Sequence, residues 1–198
     1  MPPVRVAVLA SGGGTNLQAL LDACGPAAPA RVIRVISNRA DAGALERARA
    51  AGIPAVVLRD PADSGELLAA LADADLVVLA GYLKLIPAAA VARFPRRMIN
   101  IHPALLPAFG GPGMYGRRVH AAVLASGVAE SGATVHYVDE HYDRGPIVAQ
   151  RTVPVLPGDT PESLAARVLA VEHELLPQVV LDLSRKLIDQ GRSHASDG

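Results

Sequence analysis

From Val4 onward, short apolar runs alternate with stretches of helical spacing. "VRVAVLA" (4–10), "RVIRVIS" (31–37), "PAVVL" (54–58), "DLVVLAG" (75–81) and "RMINIH" (97–102) are apolar and mostly β-branched, as strands buried on both faces are. Between them, "NLQALLDAC" (16–24), "DAGALERARAAG" (41–52, stopped by Gly52) and "GELLAALADA" (65–74) repeat apolar residues at helical intervals. A further short helical stretch precedes residue 97. Strands that alternate with helices predict a parallel sheet covered on both faces.

The second half has a different pattern. "GATVHYV" (132–138) alternates apolar and polar residues, the pattern of a half-exposed strand. "PIVAQRTVPV" (146–155) is another extended run, and the short loop "DEHYDRG" between them implies antiparallel neighbours. Residues 159–188 read as a long helix with Thr160 as N-cap and Pro161 at its first position. Pro177 is predicted to kink or break it, and the tail from 189 to fray. There is no repeat or linker. The prediction is one α/β domain over 1–198. It has a mostly parallel Rossmann-like sheet with helices on both faces, antiparallel strands in the C-terminal half and a long C-terminal helix.

Composition narrows the function. The 198 residues are 51% hydrophobic but only 3% aromatic, so aliphatics must build the core. Nineteen basic residues balance nineteen acidic ones, without the basic surplus of a nucleic-acid binder. The single Cys24 excludes an internal disulfide and fits a reducing compartment. The chain enters its first strand at once, leaving no room for a signal peptide. Lys84 and Pro87 interrupt the longest apolar stretch, which argues against a membrane span. A soluble cytoplasmic protein is expected.

Candidate chemistry begins at "SGGGTN", residues 11–16, between the first strand and first helix. Glycines there admit an anion to the backbone, and a helix N-terminus favours negative charge. A dinucleotide fingerprint would place a third glycine at Leu17 and an acid near Asn38; a P-loop would place Lys at Thr15. A phosphomonoester fits better. The second candidate is "NIHPALLP", residues 100–107. Asn100 and His102, two apart on a strand, share a face, and Pro103 ends the strand. Ligands gather at the carboxyl ends of such strands. An Asn amide can donate to an oxyanion, and His is the side chain whose proton moves near neutral pH. A carboxylate partner can come from Asp139, Glu140 or Asp143; spacing does not choose. His102, His120 and His136 can converge, but there is no helical His pair, no HExxH and no Cys cluster, so no metal site is expected.

These motifs together resemble the phosphoribosylglycinamide formyltransferase family. They are "SGGGTNLQAL", "SNRADAGALERARAAGIP", "LAGYLKLI", "NIHPALLPAF", "GATVHYVDEHYDRGPIVAQRTVPV" and "ARVLAVEHELLP", in the family's order from about residue 4 to about 183. The resemblance implies formyl transfer from 10-formyltetrahydrofolate, the co-substrate, to the amine of 5-phosphoribosylglycinamide in purine synthesis, with no metal. It implies Asn100, His102 and Asp143 as catalytic residues, with Asn100 and His102 stabilising a tetrahedral oxyanion and Asp143 raising the His102 pKa. Gly14, Thr15, Asn16, Leu17 and Gln18, with Leu169, Ala170, Val171 and Glu172, match the ribotide site. Leu83, Lys84, Leu85 and Ile86, with Asn100 and the run Asp139, Glu140, His141, Tyr142 and Asp143, match the folate pocket. The N-terminal half, to about 98, would then bind phosphate, and the rest folate. Small-molecule partners only, in a monomer or homodimer, are expected.

Two departures stand out. Gly65 lies where the family often has an arginine of the ligand pocket, leaving Arg59 as a weak replacement. The segment 108–119, "AFGGPGMYGRRV", is glycine-rich and longer than the common form; it predicts a flap closing over the ligands, with Arg117 and Arg118 near phosphate or the acidic folate tail, or in solvent. Rival activities are weaker: a methionyl-tRNA formyltransferase would carry another, basic domain, and a formyltetrahydrofolate deformylase an N-terminal one. A silent folate-binding protein would not need all three polar residues.

Overall fold

β1 (Val4–Leu9) shows how the core is divided. Its side chains alternate between two aliphatic clusters: Val6 and Val8 enter one with Leu17, Leu45 and Val78, while Ala7 and Leu9 enter the other with Leu67, Leu71 and Val77. Period-two alternation between two apolar faces is what a central parallel strand requires. The computed structural model describes residues 2–196. After β1 come α1 (Thr15–Ala23), β2 (Ala30–Ser37), α2 (Gly43–Ala50), β3 (Ala55–Val57), α3 (Ser64–Ala70), β4 (Leu76–Leu79), α4 (Ala88–Arg93) and β5 (Met98–His102). α5 (Arg117–Ser126), β6 (Glu130–Tyr137), β7 (Ile147–Pro154) and α6 (Pro161–Ser196) complete the chain.

The seven strands lie in the order β3-β2-β1-β4-β5-β6-β7. The first five are mutually parallel; β6 runs antiparallel to β5, and β7 antiparallel to β6. This is the predicted mostly parallel sheet with antiparallel strands in the C-terminal half and a long final helix. Strand order reverses between β1 and β4, and the crevice at such a reversal is where open α/β sheets bind ligands.

Four local expectations change. β6 is not half-exposed: Ser131 through His136 are all buried, because β5 and β7 flank the strand and its polar residues face an internal site. Residues 117–119, expected as the end of a glycine-rich flap, instead open the helix α5. Val119 and Val123, four apart, are fully buried, and Gly127 in the left-handed conformation stops α5. Pro177 does not end α6. Leu175, Leu176, Val179 and Val180 around it are buried, and this packing outweighs one lost helical hydrogen bond. α6 also continues through the tail expected to fray, as far as Ser196; Asp197 and Gly198 lie outside the described residues.

Candidate active site

The first wall is the turn from β1 to α1. Gly14 has φ 75°, and a Cβ there would lie 2.6 Å from the Ala44 backbone, so only glycine closes this turn. It puts the first amides of α1, which have no intrahelical partner, at the carboxyl edge of the sheet. Asn16 Nδ2 donates to Glu172 Oε2 of α6 at 2.6 Å, and both residues line a cavity of about 640 Å³. Glu172 is nearly fully buried, and burial pushes its carboxyl up to about 7 against that hydrogen bond. The other residues expected at the ribotide are dispersed. Leu17 is core, and Thr15 and Gln18 line a separate groove with Arg47. On α6, Leu169 reaches the cavity, Val171 packs against the core and Ala170 is exposed.

The second wall follows from register. Across the antiparallel pair of β5 and β6, Asn100 faces His136 and His102 faces Thr134, so four polar side chains share one face. Asn100 Nδ2 lies 3.0 Å from His136 Nε2 and 3.4 Å from Asp143 Oδ1. His102 Nδ1 lies 3.5 Å from Asp143 Oδ2, and Nε2 lies 2.8 Å from the Phe109 carbonyl. Thus Asn100, His102 and Asp143 meet, and of the three acids offered by spacing it is Asp143 that enters the site. Asp143 has φ 55° and accepts from the Gly111 amide at 2.9 Å. Asp139 and Glu140 stay outside, with Asp139 taken up by the His141 amide at 2.8 Å.

The electrostatics modify one expectation. Burial pushes the His102 pKa below its ordinary value and outweighs Asp143 and the Phe109 carbonyl, which push it up. Asp143 acts in the expected direction but does not prevail. Its own carboxyl is pushed up by burial, yet the His136 and His102 rings and the Gly111 amide hold it below the usual range.

Of the segment expected to hold folate, Leu83 lines the cavity beside Tyr82 and Tyr142, whereas Lys84 and Leu85 are exposed and Ile86 is core. Arg59 stays exposed beside Glu66 and does not line this cavity. Loop 111–116 forms part of the wall, and Arg117 at the start of α5 pairs with Glu162 of α6. Among the described residues, no group of three His, Cys, Asp or Glu can hold a metal ion.

Three residues named in the sequence have contacts that it did not show. Ser11 Oγ donates to Asn38 Oδ1 at 2.6 Å and accepts from Leu83 N at 3.0 Å, joining the glycine loop to the segment after β4. His120 of α5 lines the cavity, buried, with its pKa lowered by burial and by His102. The valine spacing of α5 carried the signal for its placement. For His136 spacing offers only a possible convergence with His102 and His120, because cross-strand register is not visible in spacing.

Residues 4–180 match the formyl transferase family. The chain belongs to that family. It is 41% identical to the phosphoribosylglycinamide formyltransferase of Haemophilus influenzae, over 98% of this chain and 91% of that protein. It is 48% identical to the chloroplastic phosphoribosylglycinamide formyltransferase of Arabidopsis thaliana, over 89% of this chain and 64% of that protein. It therefore spans less than two thirds of the plant relatives it matches, 64% and 62% of their lengths. A solved phosphoribosylglycinamide formyltransferase from Anaplasma phagocytophilum superposes with TM-score 0.86 at 40% identity, covering 93% of this chain and 88% of that one. Glycinamide ribonucleotide transformylase 1 from Symbiobacterium toebii gives 0.84 at 45% identity, covering 93% and 89%. No helix among the described residues is long and apolar enough to cross a membrane.

Proposed function

We propose that this chain transfers a formyl group from 10-formyltetrahydrofolate to the amine of 5-phosphoribosylglycinamide, giving formylglycinamide ribotide and tetrahydrofolate. The observation that carries this reading is the meeting of Asn100, His102 and Asp143 in one cavity that also reaches Asn16 beside the glycine loop. The phosphate binds the first amides of α1, and Glu172 takes polar groups of the glycinamide ribotide. The pterin lies against the apolar wall of Leu83, Tyr82 and Tyr142, a setting suited to a flat ring.

The amine nitrogen attacks the formyl carbon, a C–N bond forms, and the carbonyl oxygen becomes an oxyanion. Asn100 Nδ2–H and His102 Nε2–H donate to that oxygen, His102 exchanging the Phe109 carbonyl for a stronger acceptor. Charge developing beside the ring, together with Asp143, favours the imidazolium that burial disfavours in the resting site. Collapse breaks the bond from carbon to the folate nitrogen, and the proton lost by the amine ends on that nitrogen. The reading includes no metal, a cytoplasmic setting and a monomer or homodimer.

Absorbance of the folate tests it, with purified protein and a 10-formyl folate, with and without the ribotide. Ribotide-dependent turnover is expected. Turnover without ribotide would make the chain a deformylase, and folate binding without turnover would make it a binding protein.

A further inference from the structure

We propose that His136 is a positioning residue that aims the Asn100 amide, turning its amino group rather than its oxygen toward the reacting carbon. This rests on the formyl-transfer reading.

The ring's own contacts decide which nitrogen carries hydrogen. His136 Nδ1 lies 2.8 Å from the Tyr137 carbonyl, which can only accept, so Nδ1 bears the hydrogen. Nε2 of the neutral ring then holds a lone pair, and Asn100 Nδ2 lies 3.0 Å from it. A second acceptor, Asp143 Oδ1, lies 3.4 Å from the same nitrogen; Nε2 itself is 3.5 Å from that oxygen, too far for a ring hydrogen to be held there. Only an NH₂ group fits between two acceptors. The flipped amide would set its oxygen against a lone pair and a carboxylate. A hydrogen on Nε2 would instead oppose the amide hydrogens across that 3.0 Å contact.

The two amide hydrogens therefore have different partners. The one on His136 has ordinary hydrogen-bond length and fixes the amide plane. The one toward Asp143 is longer than usual and can pass to a stronger acceptor such as an oxyanion. His136 is itself only 2% exposed, its ring tied to the β6 backbone, so it cannot swing away. Orientation is set before the substrates arrive, which is what electrostatic stabilisation of a transition state demands.

The test has a spectroscopic arm and a kinetic arm. Nitrogen-15 NMR of the wild-type chain should show His136 protonated at Nδ1 only, with a coupling across the hydrogen bond between Asn100 Nδ2 and His136 Nε2. His136→Phe should lower kcat about 100-fold with KM for both substrates unchanged. His136→Gln, which returns an oxygen acceptor near the place of Nε2, should recover most of that loss. A proton on Nε2, or no coupling to Asn100, would overturn the proposal even if His136→Phe failed to fold. So would a His136→Phe enzyme with wild-type kcat, or a His136→Gln enzyme that folds yet is as slow as His136→Phe. Absence of formyl transfer by the wild type would sink the functional reading alone, since the NMR arm needs no turnover.

Discussion

β4 and β6 are both buried, yet their side chains differ in kind. Leu76–Leu79 are all aliphatic and divide between two apolar clusters. β6 alternates instead: Ala133 and Val135 enter the core, while Thr134 and His136, equally buried, face polar partners. Thr134 Oγ1 donates to the Ala104 carbonyl at 2.7 Å and accepts from Leu106 N at 3.1 Å and Gln150 Nε2 at 2.9 Å. Burial of aliphatics is non-directional and stabilises any well-packed arrangement. Buried hydrogen bonds are directional and costly to leave unmade, so they select one geometry. β4 supplies stability, whereas β6 and the end of β5 supply orientation.

Substitutions at the two places should therefore separate folding from chemistry. The largest effect is expected at His102→Ala: kcat per folded molecule falls by a factor on the order of 100 to 1,000, about 3 to 4 kcal/mol, with a smaller loss of stability, about 1 kcal/mol, from the Phe109 carbonyl left unpaired. Turnover beside a melting curve checks both halves. Leu76→Ala should do the opposite. It should destabilise by about 3 kcal/mol in urea titration, while kcat per folded molecule holds. A large kcat loss in that variant would erase the distinction.

Thr134→Val sits between them. It strands the Leu106 amide, and urea titration should read a loss of about 2 kcal/mol. Because the affected segment follows His102 directly, kcat should fall as well. The smallest effect concerns pH. Burial raises the Glu172 carboxyl from 4.5 to about 7 in the folded chain. The favourable contribution is therefore complete below pH 4.5 and lost as pH rises through 7. Relative to Glu172→Gln, the wild type should lose about 1 kcal/mol between roughly pH 6 and pH 7, read from urea midpoints at each pH.

The same contrast explains what was legible from the sequence alone. Strands such as β1 and β4 declare themselves by composition, because two-sided burial admits only apolar residues. The glycine loop was legible because few turns need three consecutive glycines. β6 misled: alternation of apolar and polar residues means solvent on one face in most sheets, but here that face is an internal site. α5 was obscured by the glycines before it and the paired arginines that open it, although Val119 and Val123 carried the helical interval. Asn100 and His102 could be paired from a two-residue spacing on one strand. The choice of Asp143 over Asp139 and Glu140 could not be made that way, because it depends on a left-handed residue in a tight turn. His136 and Ser11 act through contacts of 36 and 72 residues' separation, which no local pattern records.

The most direct measurement is the fate of the formyl carbon. Carbon-13-labelled 10-formyltetrahydrofolate would be mixed with the protein and 5-phosphoribosylglycinamide, with no metal added, and followed by NMR. The account predicts that the label leaves the folate and appears as an amide on the glycinamide nitrogen, in proportion to folate consumed. Label appearing as free formate, or remaining on the folate while the protein binds both molecules, would contradict it.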